Sequence, residues 1–469
     1  MPFPSGGSLP SVAVLGILAW VRSVPGPLPA PVPPAATAPT PARANARPAD
    51  PADAIALAAA DAYIQNGRRG LARVRIGWVP PGTPVRVRLK RHAFHFGINI
   101  PGTFNNFLIE GAPPQSDAGR FQHFVLEHFN TVVPSNAGKW LYNEGARTFV
   151  TMDYVDLILR WAARHRMYAR MHTMLWDTEQ QPVWVSDLLE AAKKGDPAAK
   201  ADLLRAIDRR IDYYVRDRAG GYQELDVVNE SVHRSGYLEA LGAAGIADVF
   251  NRVAHTARDA GVPLRLFLNE YDVLQQSRDP RRGPAAPLDP SAGWYRGHVE
   301  AIRAAGGEVS GIGVQYYADA GVGIPTPHSA ARIRKVLTNL TATGLPVELT
   351  EFGVKKGASR EEAARILDET MRLVFGTPGT IGFVMFGFWA GAIWDTAPEA
   401  VLMDKDWNLT EAGGRYEKLM VQWWTDETIP VAANGTIEFM GFYGDYVVEV
   451  AGKTLTFELV KGKTAYELR

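Results

Sequence analysis

The chain has 469 residues, enough for one large domain with small appendages. Its 50 Lys+Arg balance its 50 Asp+Glu, and zero net charge gives no electrostatic footing for nucleic acid or an anionic membrane as partner. Cysteine is absent, which excludes disulfides and thiolate metal sites, while 12 Trp supply flat apolar rings for a core or for ligand platforms.

Residues 11–21 (SVAVLGILAWV) form an apolar run of signal-core length, too short to cross a bilayer comfortably. Neither Lys nor Arg precedes it, yet export remains the expectation, which makes the protein secreted or periplasmic. A Pro/Ala-rich stretch then reads as an extended spacer up to residue 51. Residues 52–91 predict a small N-terminal β extension: a short helix, then strands at 72–78 and 85–91 joined by a turn at Pro80-Pro81-Gly82.

From residue 92 the pattern becomes regular. Apolar runs at 92–98, 130–134, 168–175, 224–229, 264–269, 311–315, 347–350 and 382–387 alternate with amphipathic stretches such as 154–166, 201–217, 246–260, 330–341 and 360–375. Eight strands alternating with helices predict an α/β fold, a (β/α)8 TIM barrel over 92–425. The runs are continuous rather than alternating, as parallel strands covered on both faces require. Two stretches between strands, 185–196 and 275–290, read as loops, the second a mobile surface excursion. After residue 425 the pattern changes to short strands at 436–440, 445–450, 454–459 and 465–468. This C-terminal antiparallel β appendage is too small to stand alone and is expected to pack on the barrel.

Two of the barrel runs end on glutamates: Leu225-Asp226-Val227-Val228-Asn229-Glu230 and Pro346-Val347-Glu348-Leu349-Thr350-Glu351. Strand C-termini are where a barrel collects its catalytic groups. Two carboxyls facing one cleft can cleave a glycosidic bond, one protonating the leaving oxygen and the other attacking the anomeric carbon. Glu230 is assigned as acid/base and Glu351 as nucleophile. Asn229 is positioned to bond a sugar 2-hydroxyl. Asn136, Lys139 and His172 would ring a sugar with donors, and Trp176 and Trp394 would face it, Trp394 as a cleft lid.

The ensemble of motifs resembles glycoside hydrolase family 10, the endo-β-1,4-xylanase family of (β/α)8 barrels. His95-Phe96-Gly97 resembles its first strand, and Phe129 through Trp140 its second, where an Asn and a Lys bind the glycone sugar. Arg170-Met171-His172-Thr173-Met174-Leu175-Trp176 resembles the third, Asp226 through Glu230 the fourth, and Leu268-Asn269-Glu270-Tyr271 the fifth. Gly311 through Gln315 resembles the sixth, Leu349-Thr350-Glu351 the seventh, and Phe386-Gly387-Phe388-Trp389 with Trp394 the eighth. The resemblance implies substrate contacts for Tyr271, Gln315, Tyr317 and Trp389 as well, a xylan-like polysaccharide as partner, and no cofactor or metal.

The departures cluster. Ser135 stands where the family usually has Glu, Tyr317 where it has His, Gly353 where it has Asp, and Phe386 where it has Trp. Tyr317 is expected to donate its hydroxyl to Glu351 in place of the lost His and Asp. These changes keep the reaction class and leave the substrate open. A retaining β-glycosidase of different or narrower specificity is one alternative, and a polysaccharide-binding pseudoenzyme is another.

Overall fold

The computed structural model describes residues 50–102, 107–275, 290–319, 328–393 and 398–469. Eight parallel strands close a barrel: β3 (His95–Ile100), β4 (Thr131–Pro134), β5 (Tyr168–Met171), β6 (Glu224–Asn229), β7 (Arg265–Glu270), β8 (Gly311–Ala318), β9 (Val347–Val354) and β10 (Thr380–Met385). β6 and β9 are buried along their whole length, because side chains fill the barrel on one face and helices cover the other. Helix starts follow local chemistry: Ser359 caps Arg360–Phe375 by accepting from Glu362 N, and Asp50 with Pro51 opens Pro51–Gly67. The reading of 185–196 as a loop is corrected, since Val183–Lys193 is a helix with an apolar stripe of Val185, Leu189 and Ala192. Most of the expected excursion at 275–290 lies outside the described residues, as does the apolar run 11–21. Among the described residues no helix is long and apolar enough to cross a membrane.

The two ends of the chain, read separately from the sequence, fold together. β1 (Arg69–Arg75) is the centre of a three-stranded sheet, flanked by β12 (Thr436–Phe442) and β15 (Ala465–Glu467). β2 (Pro84–His92) lies in a four-stranded sheet with β11 (Asp426–Pro430), β13 (Gly444–Val450) and β14 (Lys453–Leu459). The sheets meet through Phe439, Tyr446, Phe457 and Tyr466, whose rings lie 4.7–5.4 Å apart in sequence of contact. His92, Phe375, Trp423, Trp424 and Phe442 then seal this sandwich to the barrel, and Arg68 donates to the Phe375 carbonyl at 2.6 Å. Neither end buries enough apolar surface by itself, so the pairing supplies each with the core it lacks.

Candidate active site

Glu230 follows the last residue of β6 and takes φ 57°, a left-handed conformation uncommon for a side-chain-bearing residue and a form of strain often kept at functional sites. Its Oε2 accepts from Trp176 Nε1 at 2.8 Å and its Oε1 from Gln315 Nε2 at 3.0 Å. Glu351 lies within β9. Its Oε2 accepts from the Tyr317 hydroxyl at 2.5 Å, while its Oε1 lies 3.9 Å from His172 Nε2. The register of β8 and β9 shifts between Val314 and Gln315, which sets Gln315 opposite Glu351 and Tyr317 opposite Gly353. The amide that holds one glutamate is therefore the cross-strand neighbour of the other.

Beneath them runs a polar layer. Thr350 Oγ1 donates to Asn269 Oδ1 at 2.6 Å, and Asn269 Nδ2 donates to Asn229 Oδ1 at 2.8 Å. This chain fixes the Asn229 amide and leaves Nδ2 as its donor end, which is buried with no hydrogen-bond partner among the described residues. Gly313 makes the layer possible, because a Cβ there would collide with the Asn269 amide. A buried donor without a partner is costly and points to a ligand that completes it.

Burial and the charges of Glu270 and Glu351 push the Glu230 carboxyl up to about 8, and its two donors only partly oppose this. Burial raises Glu351 as well, but His172, Tyr317 and Lys139 all pull it back. Lys139 is brought down to about 8 by burial, against the attraction of both glutamates. Its Nζ donates to Asn136 Oδ1 at 2.7 Å and lies 4.9 Å from the Trp176 ring centre. His172 Nδ1 is 2.9 Å from Asp226 Oδ2, and the other Asp226 oxygen is taken by Arg170.

A second Asn-Glu pair, Asn269-Glu270, ends the adjacent strand in register with Asn229. Both Glu270 oxygens are occupied: Oε2 accepts from Val232 N at 2.8 Å, and Oε1 meets Tyr271 N and His233 Nδ1. Fully buried and fully bonded, Glu270 is unavailable to a substrate and acts on Glu230 through its field. Tyr271 rests on the His233 ring at 4.2 Å.

The structure brings Asn136, Lys139, His172, Trp176, Asn229, Gln315 and Tyr317 around the two glutamates. Trp176 and Gln315, expected as sugar contacts, are engaged with Glu230 itself. Trp389 is 5 % exposed and stacks on Trp407 at 4.4 Å, so it is a buried ring and not an open platform. Trp394 lies outside the described residues. Tyr317 and Phe386, two of the departures, touch edge to face at 5.6 Å and 77°. Sequence reasoning missed Asn269, Thr350, Glu270, Asp226 and Arg170; the repeated Asn-Glu at the ends of neighbouring strands was the available signal.

One group among the described residues has metal-ligand spacing: His95, Glu224 and Glu348 at the barrel floor, with ligand atoms within 4.8 Å of one another. Arg170 already lies 2.8 Å from Glu348 and 3.3 Å from Glu224, and Arg265 lies 2.5 Å from Glu224. Guanidinium groups thus hold the position a cation would need. Gly382 leaves the space that the Glu348 carboxyl fills.

Comparison with known proteins agrees with this geometry. The model for Glycosyl hydrolase family 10 matches residues 106–414, a span that includes both glutamates. Endo-1,4-beta-xylanase 3 of Arabidopsis thaliana is 29% identical over 381 residues, covering 79% of this chain and 46% of that protein. Anti-sigma-I factor RsgI6 of Acetivibrio thermocellus is 28% identical over 375 residues, 79% of this chain and 43% of that protein. This chain thus spans less than half the length of either relative. In fold it is similar to native xylanase 10B from Thermotoga maritima (TM-score 0.57, 19% identity, 70% of this chain and 95% of that one). It is similar too to xylanase 10B from Thermotoga petrophila in complex with xylobiose (TM-score 0.56, 19% identity, 70% and 94%). With two thirds of its length matched by the family model, and with one of its paired glutamates just after β6 and the other within β9, the chain belongs to glycoside hydrolase family 10.

Proposed function

We propose that this chain is a retaining glycoside hydrolase that cuts internal β-1,4 linkages of xylan or a related plant β-glycan. The observation that carries the reading is the unequal pair at the barrel mouth: Glu230, accepting from Trp176 and Gln315 and raised by burial to about 8, and Glu351, faced by His172, Tyr317 and Lys139. In the first step Glu351 attacks the anomeric carbon, the bond to the leaving oxygen breaks, and that oxygen takes the Glu230 proton. In the second, Glu230 removes a proton from water, water attacks the same carbon, and the ester bond to Glu351 breaks. The Asn229 Nδ2 donor, left without a protein partner among the described residues, would bond the sugar 2-hydroxyl, where a contact that tightens in the transition state lowers the barrier. Lys139, Asn136 and His172 supply further donors, and no step calls on a metal.

The names of the xylanase relatives support xylan as substrate. A second reading, a β-glycosidase of narrower specificity, is favoured by Tyr317, Gly353 and Phe386, which lie together beside Glu351. Product analysis decides between them. The xylanase reading expects short xylo-oligosaccharides from glucuronoarabinoxylan with the wild type and none with Glu351→Ala. Cleavage of mixed-linkage glucan or an aryl glycoside without xylan products supports the second reading. Inactivity on all of them overturns both in favour of a binding protein.

A further inference from the structure

Resting on that catalytic reading, we propose that Tyr317 is a positioning residue whose hydroxyl acts mainly on the second step, by assisting departure of the Glu351 carboxylate from the sugar. The two Glu351 oxygens are unequal. Oε2 is capped by Tyr317 at 2.5 Å, whereas Oε1 makes no hydrogen bond among the described residues and faces His172 at 3.9 Å. Oε1 is therefore the attacking atom, and Oε2 becomes the carbonyl oxygen of the glycosyl ester.

The consequence for the two steps is opposite in sign. When Oε1 bonds to the anomeric carbon, the carboxylate loses its charge and the Tyr317 bond weakens from a charge-assisted one to an ordinary one. When water displaces the carboxylate, the electron pair of the breaking bond returns to Glu351 and the Tyr317 bond strengthens. A donor on Oε2 thus opposes attack slightly and favours release.

Three features of the chain seat this donor. The register shift of β8 against β9 puts Tyr317 across from Gly353, which has no side chain to compete for Glu351. The edge contact with Phe386 fixes the ring at 5.6 Å. The backbone carbonyl of Tyr317 accepts from Gln275 Nε2 at 3.5 Å. The residues at 317, 353 and 386 form one unit, which accounts for their departing from the family pattern together.

The test uses the full chain and a dinitrophenyl β-xylobioside. Its leaving group makes the first step fast, so that kcat reports the second. Tyr317→Phe should lower kcat about 10-fold to 100-fold and lower KM in parallel. Its kcat/KM should stay within about threefold, and stopped-flow traces should show a burst of dinitrophenol. Fluorotyrosine at position 317, nearly isosteric and a stronger donor, should raise kcat and keeps the test open if Tyr317→Phe folds poorly. The proposal is overturned if kcat/KM of Tyr317→Phe falls as far as kcat with no burst, or if the fluorotyrosine form is slower. A wild type that does not turn over the glycoside with retention would instead overturn the catalytic reading itself.

Discussion

Strands β6 and β9 each carry a buried glutamate at both levels of the barrel, and the two levels treat them differently. At the floor, Glu224 and Glu348 converge with Asp226 on Arg170, and Arg265 and His95 add to the cluster. At the mouth, Glu230 and Glu351 meet no arginine at salt-bridge distance among the described residues. Burial pushes all four glutamates up. Arg170 and His95 outweigh it for Glu348 and hold that group well below the ordinary carboxylate range, whereas Glu230 rises to about 8. On β9 the floor glutamate, Glu348, is a fixed anion, while on β6 both Glu224 at the floor and Glu230 at the mouth are raised by burial and by the charge of a neighbouring glutamate. With burial alike, the balance of neighbouring cations against neighbouring carboxylates sets the direction.

The difference can be broken first at the mouth. Replacing Glu230 by Gln removes the acid and should cut kcat/KM on xylan about 10²–10⁴-fold, with far less effect on a dinitrophenyl glycoside whose leaving oxygen needs no proton. The pH dependence has a definite sign. Glu230 must carry a proton, so wild-type kcat/KM on xylan should be high below about pH 8 and fall as pH rises through it. Lys139, also lowered by burial to about 8, loses its charge in that range. An alkaline limb that survives in Glu230→Gln on the activated substrate therefore belongs to Lys139. A wild type with no alkaline limb would remove the contrast between the two levels.

At the floor the expected effect is on folding. Arg170→Met leaves Glu224, Asp226 and Glu348 without their shared cation and should destabilise the protein by about 3–5 kcal/mol in urea denaturation. A loss below about 1 kcal/mol would mean that the floor carboxylates are not held by charge pairing.

The barrel was legible because buried parallel strands leave continuous apolar runs, and the paired glutamates proposed as catalytic stood out because each follows such a run. Less of the site was legible, for physical reasons that differ by residue. Gln315 was read as a sugar contact, but its role with Glu230 depends on a register shift at Thr350 that no local pattern announces. Arg170 and Glu348 sit inside strands, where a charge is intelligible only once its partners from other strands are known. The sandwich pairs strands more than 360 residues apart, as in Arg69 with Phe442, and chain ends carry no mark of such distant partners. By contrast, the Tyr317 bond to Glu351 was readable, because a missing His and a missing Asp left one hydroxyl able to reach that carboxylate.

The most direct measurement of the central claim is covalent trapping. Wild-type protein is incubated with dinitrophenyl 2-deoxy-2-fluoro-β-xylobioside, weighed intact by mass spectrometry, and mapped by peptide digestion. One 2-deoxy-2-fluoroxylobiosyl group should be added, carried by the peptide containing Glu351 and esterified at that residue. A single adduct on another residue, or steady release of dinitrophenol with α-configured product and no adduct, would contradict it.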